Sequence, residues 1–186
     1  MKSLLFFITA VILSGSSCKK HKPISPVDQL PPETQTGANT FGCLVDGEVF
    51  KPGGAQLSGG SLGAIYQYLI PGTPNGYTFG VSAQNQKDYC LYKTVGFGFD
   101  STEMSVGIYV LGRRRNGFGG GGYQEFPCGQ SYIEFLTNDI VTGELNLKKF
   151  DEVNQIASGT FWFNAVNDVG DTVKVTEGRF DVKFTR

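Results

Sequence analysis

The sequence predicts an all-β domain, an antiparallel β-sandwich or barrel of about ten strands, carried behind an export signal and a tether. Three observations point there. The 186-residue chain holds 26 glycines and 15 phenylalanines, a composition of turns and pleated surfaces, not of helices. Its apolar residues alternate in short runs, as in Tyr77, Phe79, Val81 and Ala83, which is the period of a half-buried strand. No stretch repeats apolar residues every 3.6 positions, and turn signals interrupt the chain at hairpin intervals.

Residues 1–17 read as a signal peptide. Lys2 supplies the positive start, residues 4–13 form an apolar run too short to span a bilayer, and Ser14, Gly15, Ser16 and Ser17 lead into Cys18. A cysteine directly after such small residues is the expected lipidation site and first residue of the mature chain. Residues 18–39 then read as a lipidated cysteine and a flexible, Pro-rich tether, with Pro23, Pro26, Pro31 and Pro32 in a weakly apolar stretch. Lys19, Lys20, His21 and Lys22 would rest on anionic head groups beside the lipid. The remainder, 40–186, is expected to be a single β-domain, long enough to fold without a metal or disulfide staple.

The domain opens with a hairpin: Phe41, Cys43 and Val45 run into Asp46-Gly47, a type I′ turn signal, and Val49-Phe50 return. Residues 52–60 read as loop, 64–70 as a strand and 71–76 (Pro-Gly-Thr-Pro-Asn-Gly) as a turn. Strands follow over 77–83, over 89–99 with breaks at Gly96 and Gly98, and over 104–111. Residues 113–122, with three arginines and a four-glycine run, read as an extended loop. Residues 131–137 and 143–150 are two more strands. The last block runs as a strand over 156–166, a turn over 167–171, a return over 172–176 and, after Glu177-Gly178, a strand that turns Phe180, Val182 and Phe184 inward.

Several of these segments carry a resemblance. Gly107-Ile108-Tyr109-Val110-Leu111, Gly143-Glu144-Leu145 with residues 150–156, Ser158-Gly159-Thr160-Phe161-Trp162-Phe163 and residues 175–182 are together similar to a family of Bacteroidota lipoproteins that carries a domain of unknown function. Phe41-Gly42-Cys43-Leu44-Val45-Asp46-Gly47 resembles that family's first hairpin, and the likeness is weaker over 52–100. The resemblance implies an all-β, lipid-anchored domain and transfers no catalytic residue. The expected location is the outer membrane. No acidic residue stands just after Cys18, which favours the periplasmic face over the cell surface.

Composition narrows the chemistry. Without Lys2, the 16 basic and 17 acidic residues leave a net charge of −2, which argues against a nucleic-acid partner. The only histidine is His21, in the tether, so no histidine triad or general base can form in the domain. With no CxxC, neither metal nor cofactor is expected. Three cysteines lie beyond the anchor. Cys90 and Cys128, both beside turn-rich segments, are the expected disulfide in an oxidising compartment, with Cys43 open as a partner of either.

The candidate binding residues are Arg113, Arg114 and Arg115, as an anion-binding cluster, with Phe118 and Tyr123 as rings flanking the glycines at a loop tip. Trp162 is the sixth. If Phe161 and Phe163 point inward, alternation sends Trp162 outward, where it could stack on a sugar or anchor a protein contact. The expected role is therefore a non-enzymatic, lipid-anchored envelope protein that binds another envelope protein or a glycan. The rival is a hydrolase of envelope or extracellular glycans that works with carboxylates alone.

Overall fold

The computed structural model describes residues 24–54, 60–72 and 75–186. The signal peptide, Cys18 and the basic cluster lie outside the described residues, as do parts of the expected 52–60 loop and 71–76 turn. Eleven strands follow a short 3-10 turn at Val27–Gln29: β1 (Thr40–Val45), β2 (Glu48–Phe50), β3 (Leu62–Tyr68), β4 (Tyr77–Asp88), β5 (Leu91–Asp100), β6 (Gly107–Leu111), β7 (Gly119–Pro127), β8 (Ile133–Leu136), β9 (Gly143–Asp151), β10 (Ile156–Val166) and β11 (Thr172–Lys183). No helix among the described residues is long and apolar enough to cross a membrane.

The strands form one sheet in the order β2-β1-β11-β10-β9-β6-β7-β5-β4-β3, with β8 laid across β7 and β10. Nearly all neighbours are antiparallel; β6 meets β7 in parallel at a single pair, Leu111 and Gly119. The sheet then closes. The Tyr66 N–H donates to the Thr185 carbonyl at 2.8 Å, and the Thr185 N–H donates to the Ala64 carbonyl at 3.0 Å. Of the two architectures open to the sequence, the barrel is the one that forms, because β3 meets the chain just past the end of β11, at Thr185. Closure satisfies backbone groups that an open sheet would leave as edges.

Phenylalanine rings fill the interior. Phe97 lies 5.0 Å from Phe161 and 5.2 Å from Phe180, and Tyr66 meets Phe150 edge-on at 5.0 Å. Such pairs add about 0.5–1.5 kcal/mol each beyond the area they bury. Glycine makes the room. In the register of β5 with β7, Phe97 stands opposite Gly121 and Phe99 opposite Gly119. A Cβ on Gly121 would come within 2.7 Å of the Phe163 ring, and one on Gly119 would overlap the Phe99 ring. The four-glycine run is thus the start of strand β7, which corrects its reading as a loop.

The C-terminal block is also a correction. Residues 172–183 form one strand with a bulge, not two strands. Before the bulge the inward residues are Val173 and Val175; after it they are Gly178, Phe180 and Val182. The extra residue at Thr176–Glu177 switches the phase of the alternation. Glu177 takes a φ of +54°, rare for a side-chain-bearing residue. Gly178 lies so close to Phe161 that a Cβ there would sit 2.7 Å from the ring.

The described part of the expected tether is not loose. Leu30 is buried, and residues 34–38 lie over Asp181, whose side chain is fully enclosed. Its carboxylate accepts from the Thr34 hydroxyl at 2.6 Å and from the N–H groups of Thr36, Gly37 and Ala38 at 2.9, 2.7 and 3.2 Å. Burial pushes this carboxyl up, but the Thr34 hydroxyl and the three N–H groups outweigh it and hold it below the usual range.

Candidate functional site

Two outer surfaces of the barrel could receive a ligand. The first is a groove of about 460 Å³ that Trp162 helps to line. Phe161 and Phe163 are buried and Trp162 is 44% exposed, so alternation along β10 sends the indole outward. Its cross-strand neighbour on β9 is Glu144, and Thr160 faces Asn146 on one side and Arg179 on the other. The β11 bulge forms the groove's other wall, where Arg179 pairs with Glu177 at 3.5 Å. Lys148 pairs with Glu33 at the rim. An indole face ringed by carboxylate, amide, hydroxyl and guanidinium groups can stack on an apolar ring surface and hydrogen-bond the groups at its edge.

The second is an open trough of about 1600 Å³ over the outside of β3, β4, β5, β7 and β8. Glycine makes up much of its floor. Gly80, Gly98 and Gly120 form one cross-strand row, and Gly63, Ser82, Gly96 and Gly122 form the next. One row further along stand Gln84, Thr94, Gln124 and Glu134. Beyond them Tyr92 stacks on Phe126 at 4.2 Å, and Phe126 stacks on Tyr132 at 5.6 Å. At the opposite end Arg114 lies over Gly98 and Gly120.

The arginines are engaged, not poised as an open anion cluster. Arg114 grips Asp100 through two hydrogen bonds of 2.8 Å. Arg113 and Arg115 share Asp139 at 2.9 and 3.5 Å. Arg115 also sits 4.5 Å above the ring of Phe118, which is 55% exposed in a tight turn closed by Gly117. Two carboxylates therefore offset most of the charge of three guanidiniums. Tyr123 is not at a loop tip: it lies buried in β7 with its hydroxyl bonded to Glu125, and burial, then that bond, pushes the phenol up.

The fold brings Cys90 and Cys128 together at the ends of β5 and β7, both exposed, while Cys43 is buried in the core and burial pushes its thiol up. Glu134, Asp168 and Asp171 line the trough, the last two within the β10–β11 turn, where Asn167 ties the loop to Asp171. Among the described residues, no three His, Cys, Asp or Glu side chains gather as a metal-binding set. Sequence reading missed the trough altogether. Its signal was the pairing of Gly96-Phe97-Gly98-Phe99 with four consecutive glycines, which only makes sense as a ladder with rings on one face and nothing on the other.

Neither a curated protein nor a solved structure matches the chain. A family profile does, over residues 78–182, from the start of β4 to the end of β11 and thus across the floor of the trough and the Trp162 strand, with the first hairpin outside it. That span is more than half of the chain, and the protein belongs to the family described as a domain of unknown function, DUF6252.

Proposed function

We propose that this protein is a non-enzymatic binding protein of the bacterial cell envelope, held in the outer membrane by lipid on Cys18, and that it recognises a neutral glycan at Trp162. The observation that supports this reading is the indole itself: half-exposed, on a rigid strand, beside a bulge whose Glu177 holds a costly backbone conformation. Around it stand planar hydrogen-bonding groups of both charges, which suit the hydroxyls of an uncharged sugar better than an anion. An anchored domain would meet such chains at high local concentration near the membrane. The periplasmic face is favoured by the lack of acidic residues immediately after Cys18.

The test is affinity electrophoresis of the mature protein through gels that contain neutral polysaccharides. Retardation by at least one of them is expected, with Trp162→Ala weakening binding about tenfold or more. Equal retardation of the variant would remove Trp162 from the proposal. Release of new reducing ends from the polysaccharide would replace this reading with the carboxylate hydrolase, with Glu134, Asp168 and Asp171 as the first residues to test.

The trough supports a second reading, a protein partner. Where Gly63 and Gly80 leave the β3–β4 part of the floor open, an extended segment can approach closer than on a side-chain-bearing sheet face. Gly63 has open space above it, and a Cβ on Gly80 would make only ordinary contact, 3.7 Å from Ile65. Gly63→Leu and Gly80→Val should therefore fill the trough while the barrel folds. After brief cross-linking in the native envelope, a stoichiometric partner should be recovered with the wild-type protein and lost with both variants. Equal recovery would take the partner off this face.

A further inference from the structure

The geometry points to Cys90 and Cys128 as the one pair of thiols in the folded domain that closes to a disulfide on oxidation. The register of β5 with β7 pairs Leu91 with Pro127, so the next residues outward, Cys90 and Cys128, face each other. The Cys128 N–H donates to the Cys90 carbonyl at 2.8 Å, one of the two backbone bonds that a directly opposed antiparallel pair exchanges, while the Cys90 N–H turns to the Asp88 carboxylate at 2.9 Å. Such a pair has its Cα atoms about 5.5 Å apart, inside the span a disulfide bridges. Both residues are exposed, and the Cys128 thiol lies 3.6 Å from the carbonyl of Tyr89, the residue before Cys90.

The third cysteine cannot compete. Cys43 is 0% exposed, enclosed in the aromatic core. An attacking reagent would have to open the barrel to reach it. The odd cysteine count is thereby resolved by topology: one buried thiol that packs, and two surface thiols placed opposite each other.

The reaction needs an external disulfide. The thiolate of one cysteine attacks oxidised glutathione, forming a mixed disulfide and expelling one glutathione thiolate. The second cysteine's thiolate then attacks the protein sulfur of that mixed disulfide and expels the other. One S–S bond is made, one is consumed, and the two thiol protons end on two molecules of reduced glutathione. The product joins the β4–β5 turn to the β7–β8 turn beside the stacked rings of Tyr92, Phe126 and Tyr132. It would fix the aromatic end of the trough whether or not either ligand reading holds.

The experiment treats the purified, reduced full-length mature protein with oxidised glutathione, alkylates remaining thiols and maps peptides by mass spectrometry. The expected product is a monomer carrying one Cys90–Cys128 link, with Cys43 alkylated only after denaturation. The loop closed is roughly 40 residues, so Tm should rise by about 5–15 °C over the reduced form. Cys90→Ser should stop at a glutathione adduct on Cys128, which shows that residue to be reactive by itself. A link that includes Cys43, a stable glutathione adduct on both surface cysteines, or two thiols still free after oxidation would each overturn the assignment.

Discussion

The face around Trp162 presents side chains, and the face over β3, β4, β5 and β7 presents backbone. Both belong to one closed sheet, and both lie over phenylalanine. On the Trp162 side, Phe161 and Phe163 are received by glycines of neighbouring strands, Gly178 and Gly143, while the outer positions carry Trp162, Thr160 and Asn164. On the trough side glycine occupies both faces: Gly119 and Gly121 make room for rings inside, while outside Arg114 covers Gly98 and Gly120, the Leu136 side chain approaches Gly122, and Gly63 and Gly80 stay open. The difference teaches that a glycine in this barrel has two separable uses. One is required by packing and the other is free of it.

The sharpest way to break that comparison is to truncate the rings. Phe163→Ala should cost about 3–5 kcal/mol of stability, whereas Trp162→Ala, one residue away, should cost under about 1 kcal/mol and act on binding instead. Urea titrations of the two variants check both. Next in size, Gly121→Val should lose about 3 kcal/mol or fail to fold, because its side chain must enter the Phe163 ring. Gly80→Val, on the other side of the same sheet, should stay within about 1 kcal/mol. Equal costs for the two glycine variants would erase the distinction between packed and open glycines.

A third outer region is neither bare nor built up but covered, and Asp181 holds the cover. Asp181→Ala should cost about 2–3 kcal/mol at neutral pH, because the Thr36, Gly37 and Ala38 N–H groups lose their acceptor. The folded carboxyl titrates below its unfolded value, so its stabilisation is full above about pH 4 and disappears as pH falls through the depressed value. Wild type and variant should therefore converge in stability on acidification. A difference that does not shrink at all as pH falls below about 4 would mean that the segment is held by something other than the carboxylate. Smallest of all, Arg113→Ala should change stability by less than about 0.5 kcal/mol, since its pair with Asp139 is solvent-exposed on both sides.

Much of the fold was legible because it rests on period-two alternation. β1, β4, β10 and the Asp46-Gly47 hairpin can be read from Phe41, Cys43, Tyr77, Phe79, Phe161 and Phe163 with no knowledge of partners. The outward direction of Trp162 followed from the same rule. Where the rule failed, the cause is specific. Alternation carries no signal in Gly119–Gly122, where neither face has a side chain to count, so a strand looked like a loop. At Glu177-Gly178 a bulge reversed the phase, so one strand looked like two. The arginines were conspicuous in sequence, yet their partners Asp100 and Asp139 lie 14 to 26 residues away, and only the folded chain shows their charges offset.

By itself, then, the sequence determined the β class, the turns, the inward rings and the identity of the outward tryptophan, because each depends on residues close together along the chain. Tertiary structure alone decided that the sheet closes as a barrel, that glycines from β3, β4, β5 and β7 align in the floor of a trough, that residues 30–38 lie against the domain and that Cys90 meets Cys128. Each of those depends on register between strands distant in sequence, and register is set by how Phe97, Phe99, Phe161 and Phe163 find glycine on a neighbouring strand.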